Sequence, residues 1–353
     1  MNCCIKCFRD DYIRTTIDKQ GSVGDCDFCG AKGVAVYNVG DPSNPISEKI
    51  IELVQTYSVS DHAEAKPLKF ALRDDWDIFT AGAETILTLT KKLCATVYTD
   101  DAEIFKKNVI IEQLMDEDFL RKFGVVCGYS WDDFSKAIKY GNRFHSGMFN
   151  SEEFASFLSI IKSIYPAGTH MYRARISTEK TGFTKNEMGA PPIGKRIAGR
   201  INPDGIGVLY LSLDKKTVLN EVRASAFDYV TIGKFQATRD INVANLSDVG
   251  KTSPFLHDID LEKFAANRKV FQEIAAEIAK PLRRSDSPLE YLPTQYIAEF
   301  IKSENCDGVK YASTFRQGGY NFAAFNENLF DCVDVETVEV SEILYNTDPK
   351  LSD

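Results

Sequence analysis

Two Cys-x-x-Cys pairs open the chain and fix what its first segment can become. Cys4-x-x-Cys7 and Cys26-x-x-Cys29 stand with eighteen residues between them. Two residues between thiolates let a tight turn present both sulfurs to one tetrahedral ion, and Gly30 relaxes the second turn. The spacing predicts a structural Zn2+ site with Cys4, Cys7, Cys26 and Cys29 as ligands. Four thiolates leave no open coordination position, so such an ion is not expected to be catalytic. A reduced, metal-free terminus and a redox pair are the competing readings, and Cys3 competes with Cys4 for its place. The other four thiols, Cys94, Cys127, Cys306 and Cys332, stand singly and read as buried core residues. Nine cysteines in 353 residues, an odd count, do not make a disulfide scaffold.

The length suggests two or three domains. Three regions separate by composition: a Cys4 element at 1–35, a helical domain at 36–166 and a domain of short strands and helices at 167–345. The class expected is α+β. In the helical region, Ile46, Ile50, Ile51, Val54 and Tyr57 fall on one helix face after Pro45. Residues 81–95, 131–140 and 152–164 repeat that spacing. In the third region, strands are predicted at 170–176, 207–213, 229–235, 241–246, 308–313 and 320–325. Asp214 reads as the N-cap of a helix over 215–227. Further helices are predicted at 261–279 and 293–303.

A formal net charge of −9 excludes a general attraction to nucleic acid. The basic residues Lys195, Arg196 and Arg200, and Lys280, Arg283 and Arg284, are too few and too mixed for a polynucleotide track. They suit a small anionic ligand better. Met1 to Asp10 lack the apolar segment of a secretory signal, and no run of about eighteen apolar residues occurs. A soluble, cytoplasmic protein without membrane contact is the expectation.

Several polar residues of the third region stand where a core would take apolar ones. Arg173 and Arg175 share one face of a strand, because side chains alternate. Arg200 and Asn202 precede a turn at Pro203. Tyr210 interrupts an apolar strand, Glu221 lies within the next helix, and Ser313 ends a strand before Gly318-Gly319. Each alone has an ordinary structural explanation: a solvated charge, a core tyrosine, turn chemistry.

Taken in order, the motifs resemble the RES domain family. The matching stretches are Met171-Tyr172-Arg173-Ala174-Arg175, Gly-Ala-Pro-Pro at 189–192, and Gly199-Arg200-Ile201-Asn202-Pro203-Asp204-Gly205. Asn220-Glu221-Val222-Arg223, Leu289 to Glu299 and Asp307 to Ser313 follow. The resemblance implies an ADP-ribosyltransferase-like mixed β core and NAD as substrate, consumed by hydrolysis, phosphorolysis or ADP-ribosyl transfer. It implies Glu221, Arg173 and Ser313 as catalytic residues. Arg175, Arg200, Asn202, Tyr210, Tyr291 and Gln295 become substrate-binding candidates. It also implies a toxin or defence effector, with an antitoxin or regulatory protein as partner; an oligomer is allowed.

The physics suits those roles. An arginine fork binds pyrophosphate oxygens bidentately. A carboxylate on the ribose hydroxyls stabilises the positive charge that builds as the glycosidic bond breaks. Tyr210 can stack on a flat ring, and Tyr291 and Gln295 share a helix face if that helix starts before Pro293.

The helical region is similar to the HEPN-like extension of some RES proteins. HEPN ribonucleases carry Arg four to six residues before His, and none of His62, His145, His170 and His257 has that arrangement. A scaffold, partner surface or sensor is the reading for this region. A protein ADP-ribosyltransferase and a non-catalytic binding module remain as alternatives for the whole chain.

Overall fold

The computed structural model describes residues 1–41, 45–256, 259–281 and 287–343. Arg283, Arg284 and His257 lie outside the described residues. The chain forms two compact units. One comprises Met1–Phe134, His145–Ile160 and Asp248–Gln272; the other comprises Ser135–Phe144, Ile161–Ser247 and Glu273–Asp353.

The first unit begins with a three-stranded antiparallel sheet, β1 (Asn2–Cys4), β2 (Ser22–Gly24) and β3 (Val34–Asn38), in the order β1-β3-β2. Asp10 caps α1 (Asp11–Gln20) by accepting from the Ile13 amide at 2.9 Å. The four paired cysteines gather beside this sheet. Their sulfurs all lie within 4.8 Å of one another. Cys4, not Cys3, supplies the fourth sulfur.

Helices then dominate: α2 (Pro45–Gln55), α3 (Leu68–Ala71), α4 (Ala83–Leu93), α5 (Glu117–Phe123), α6 (Trp131–Tyr140) and α7 (Ser151–Ile161). Ile46, Ile50 and Val54 of α2 are buried, as the helical spacing requires. A small sheet was not anticipated: β4 (Ser58–Val59), β5 (Lys66–Pro67) and β6 (Asn108–Ile110), in the order β4-β6-β5. Aromatic rings knit the interior, with Phe157 stacked on Phe271 at 4.0 Å and on Phe264 at 5.3 Å. No helix among the described residues is long and apolar enough to cross a membrane.

The second unit is built on one eight-stranded mixed sheet. Its strands are β7 (Lys162–Tyr165), β8 (His170–Ser177), β9 (Leu209–Ser212), β10 (Tyr229–Ala237), β11 (Ile241–Asn245), β12 (Gly308–Ala312), β13 (Tyr320–Ala324) and β14 (Phe330–Glu339). The order is β14-β10-β8-β9-β13-β12-β11-β7, and only β11 and β12 run parallel. The chain is α+β, with a cysteine cluster, a helical middle and this mixed sheet.

Further differences from the sequence expectation have local reasons. The helix predicted over 152–164 stops at Ile161, and Lys162–Tyr165 instead pair with β11. Pro166 follows, and the residue before proline is turned away from helical geometry. The helix predicted over 215–227 is α8 (Lys215–Glu221), only seven residues long. Beyond it, Arg223 takes a left-handed φ of 51°, and Asp228 accepts from the Ser225 amide at 2.7 Å. That side-chain bond competes with further helix. Strand β14 was missed. Its exposed acidic residues suit an edge strand, and a bulge opposite Lys234/Phe235 breaks its alternation.

One sheet face carries the main core of this unit, including Met171, Leu209, Leu211, Phe235 and Phe322. The other face receives α8, where Val218 packs with Val230 and Ile232 beside Tyr172 and Ala174. The chain also contributes α9 (Leu261–Ala279) and α10 (Leu292–Ser303). Pro293 sits in the first turn of α10, where its missing amide costs nothing.

Candidate active site

Three central strands place a row of polar side chains on the α8 face. Asn321 of β13 stands opposite Ser212 of β9 on one side and Tyr311 of β12 on the other. Ser212 and Asn321 are buried. The Ser212 hydroxyl donates to Asn321 Oδ1 at 2.7 Å, and Asn321 Nδ2 donates to Glu221 Oε1 at 2.7 Å. Ser313 Oγ donates to the same carboxylate oxygen at 2.6 Å. Oε2 of Glu221 accepts no hydrogen bond among the described residues.

Glu221 is the last residue of α8. A carboxylate there lies at the negative end of the helix dipole, which is unfavourable by roughly 0.3–1 kcal/mol. Folding stability does not select an acid at this position, whereas the two neutral donors hold it in one place. The helix start is fixed as firmly. Asp214 accepts from the Thr217 amide at 3.0 Å and from the Thr217 hydroxyl at 2.7 Å. Arg316 reaches back from the loop after Ser313 to Asp214 and donates to Thr217 Oγ1 at 2.9 Å. Gly319 lets that loop close on α8, since a Cβ there would lie 2.6 Å from Thr217 Oγ1. Ser313 N donates to Gly319 O at 2.9 Å, which seats Ser313 beside the end of the helix.

A cleft opens on both sides of Glu221. Its larger lobe, about 470 Å³, reaches from the Gly199–Asn202 loop to Phe315 and Lys280. Its smaller lobe, about 270 Å³, is bordered by Arg173 and Val222. Tyr210, Glu221, Tyr311 and Asn321 line both lobes. Burial pushes the Tyr210 and Tyr311 hydroxyls upward, so both stay protonated at neutral pH.

The predicted residues distribute unevenly around this cleft. Glu221, Ser313 and Tyr210 come together. Arg173 is near them: β8 and β9 share only the Tyr172–Ser212 pair, and Arg173 Nη1 donates to the Tyr210 carbonyl at 3.3 Å. Its Nε is buried with no hydrogen-bond partner among the described residues. Burial, and then the charge of Arg175, push the guanidinium down to about 10. Arg175 itself stacks over Phe183 at 4.0 Å and donates to the Glu187 carbonyl.

Arg200 is buried, pairs with Glu277 at 3.1 Å and lies over the Tyr291 ring at 5.4 Å. Tyr291 ends a 3₁₀ turn that leads directly into α10. Asn202 and Gln295 serve the loop itself. Asn202 Nδ2 donates to the carbonyls of Ile197, Pro203 and Ile206, and its Oδ1 accepts from Tyr210 at 2.7 Å. Gln295 Nε2 donates to the carbonyls of Gly199 at 2.8 Å and Asn202 at 3.0 Å.

Asn321, Ser212, Tyr311 and the Asp214–Arg316 pair were not singled out from the sequence. Asn321 was open to the reasoning that found Tyr210, since it too is a polar residue inside an apolar strand.

A mixed sheet with a two-lobed cleft around one glutamate defines an α+β protein with a pocket of ligand-binding size. Residues 170–348 match the RES domain model, which is half of the chain, and the chain belongs to that family. Among solved structures it is similar to a chain of the M. tuberculosis MbcT–MbcA toxin–antitoxin complex. That likeness has 12% identity and a TM-score of 0.31, over 53% of this chain and 92% of that one. No curated protein matches.

The Asp214 clamp carries a pH signature. Burial alone would raise its carboxyl, but hydrogen bonds from Thr217 and the charge of Arg316 hold it below its ordinary 3.8. A carboxyl lowered on folding contributes stability above its unfolded value and loses it as pH falls through the folded one. Asp214→Asn keeps a capping oxygen and removes the charge. Denaturant unfolding should show the wild-type advantage over Asp214→Asn in full by about pH 5, shrinking at lower pH. A margin unchanged down to about pH 2 would refute the clamp.

Proposed function

We propose that the cleft binds NAD and breaks its nicotinamide–ribose bond, with transfer of the ADP-ribosyl group to water or phosphate. The observation that carries this reading is the Glu221 carboxylate between two lobes. Ser313 and Asn321 hold it through Oε1, and Oε2 accepts no bond among the described residues.

The bond from ribose C1′ to the nicotinamide nitrogen lengthens, and its electron pair leaves with the neutral nicotinamide. Positive charge builds on the ribose. Glu221 Oε2 would bind ribose hydroxyls and offset that charge where it develops. The acceptor oxygen then bonds to C1′ and loses its proton. No second acid is required, because the departing ring already carries positive charge. Arg173 suits the pyrophosphate: its buried Nε lacks a partner, and an anion would supply one. Tyr210, kept neutral by burial, offers its ring to the nicotinamide. Ser313 acts here on the carboxylate, since its proton is already donated to Glu221. Asn202, Gln295 and Arg200 act through the loop that walls the larger lobe.

The family resemblance supports a toxin or defence effector restrained by an antitoxin, with the helical unit as scaffold, partner surface or sensor. Product analysis tests the chemistry. Wild-type protein, free of any binding partner, should release nicotinamide from NAD in phosphate-containing buffer. Glu221→Gln should lower the rate about 10²–10³-fold. Label from NAD found only in small products fits hydrolysis or phosphorolysis, and label on protein means ADP-ribosyl transfer. Intact NAD after long incubation with the wild type would sink the proposal.

A structural zinc ion suits the cysteine cluster. Tetrahedral thiolates at a zinc–sulfur distance of about 2.3 Å stand about 3.8 Å apart. The Cys4–Cys29, Cys7–Cys26 and Cys4–Cys7 sulfurs are separated by 3.4, 3.5 and 4.0 Å. The Cys29 amide also points at Cys26 Sγ, at 3.5 Å, the kind of donor that supports a thiolate. Elemental analysis should find about one zinc per chain, lost in Cys7→Ser/Cys26→Ser together with thermal stability. A metal-free wild type of unchanged stability after chelation would exclude the site.

A further inference from the structure

Asn321 is a buried primary amide in a strand whose following residues, Phe322, Ala323 and Ala324, are buried and apolar. An amide in such a place is costly unless its donors and acceptor are met. Here the two ends are met by different groups. The oxygen accepts from Ser212, its direct cross-strand neighbour, and the nitrogen donates to Glu221. The Glu221 carboxylate only accepts, so it sets which end of the amide faces it, and the Ser212 hydroxyl, able to donate or accept, donates to the amide oxygen at the other end. The amide nitrogen reaches across to a side chain from another element.

We infer that Asn321, braced by Ser212, is a positioning residue that fixes the rotation of the Glu221 carboxylate and presents Oε2 to the bound ribose. This rests on the NAD-cleaving reading of the same cleft. Ser313 and Asn321 approach Oε1 from the turn after β12 and from β13, at 2.6 and 2.7 Å, so together they remove the freedom of the carboxylate to turn about its terminal bond. Loss of either leaves one donor and a less defined direction for Oε2. Binding of NAD depends on the whole cleft, whereas stabilising the developing ribose charge depends on that direction.

Two readouts test the inference. The first needs no turnover. In protein labelled with nitrogen-15, the side-chain NH2 protons of Asn321 should show one strongly downfield, slowly exchanging resonance, which moves in Glu221→Ala and in Ser212→Ala. The second is kinetic. Asn321→Ala should lower kcat about 10- to 100-fold with KM changed less than about threefold. Ser212→Ala should change kcat in the same direction by less. Asn321→Asp, close to isosteric, sets two carboxylates in contact so that they share a proton. The acid limb of its pH–rate profile should move upward by about one unit or more. If Asn321→Ala folds poorly, Asn321→Asp carries the test. An amide resonance indifferent to Glu221→Ala, full kcat in Asn321→Ala, or a superimposable profile in Asn321→Asp would each overturn the inference. A wild type that leaves NAD intact sinks the NAD reading instead, and the resonance still decides whether Asn321 holds Glu221.

Discussion

The bonds to Glu221 Oε1 are the point on which the cleft depends. They join three pieces of chain far apart in sequence: the end of α8, the turn after β12 and the middle of β13. Each piece is fixed before it arrives. Asp214 fixes the start of α8, the Ser313–Gly319 hydrogen bond fixes the turn, and cross-strand pairing fixes Asn321. A carboxylate at the negative end of a short helix is poorly placed for stability, and the neighbouring donors are what keep it in position. The position of Glu221 is held by local polar bonds, while the other face of the sheet carries the apolar core.

The wall of the larger lobe is made differently. The 197–206 loop has no helix or strand ladder, and side chains join a few backbone amides in satisfying its carbonyls. Asn202 takes three of them and Gln295 two, with the Asn202 carbonyl among the latter. Gly199 permits the close approach of Tyr210, because a Cβ there would lie 3.0 Å from its hydroxyl. Tyr210 thus belongs to both structures, with its hydroxyl bracing the loop through Asn202 and its ring lining both lobes. Under the proposed reading, a change at Asn202 or Gln295 would act on ligand binding through this wall, with no direct contact required.

Much of this was legible in the sequence where one residue type has few uses. Paired cysteines at fixed spacing pointed to one cluster, and the sulfurs do converge. Asp214 before an apolar helix read as a cap and is one. The end of α8 was not legible: no glycine or proline marks it, and a side-chain bond from Asp228 competes with the helix at a distance that propensity does not sense. Glu221 therefore read as a mid-helix residue when it is terminal. Asn321 was visible as a polar residue in an apolar strand, but its role was not. Whether a polar strand residue is a core defect or a site residue depends on which strand lies beside it, and the pairing of β13 with β9 joins segments more than a hundred residues apart.

Arg173 shows how the sheet and the site constrain each other. Alternation places its side chain on the Met171 face, away from Tyr172 and Ala174, which meet α8. It borders the cleft because β8 and β9 share a single pair, leaving an opening where a continuous ladder would close the sheet. The guanidinium at that opening is buried, lowered and short of one partner. A cation in that state is costly in the empty protein and gains most from an anion, since the ligand restores both the missing bond and the charge balance. Under the proposed NAD reading, Glu221 and Arg173, which both line the smaller lobe, would divide the work: the arginine would favour binding of the phosphates, and the carboxylate would act where positive charge appears as the glycosidic bond breaks.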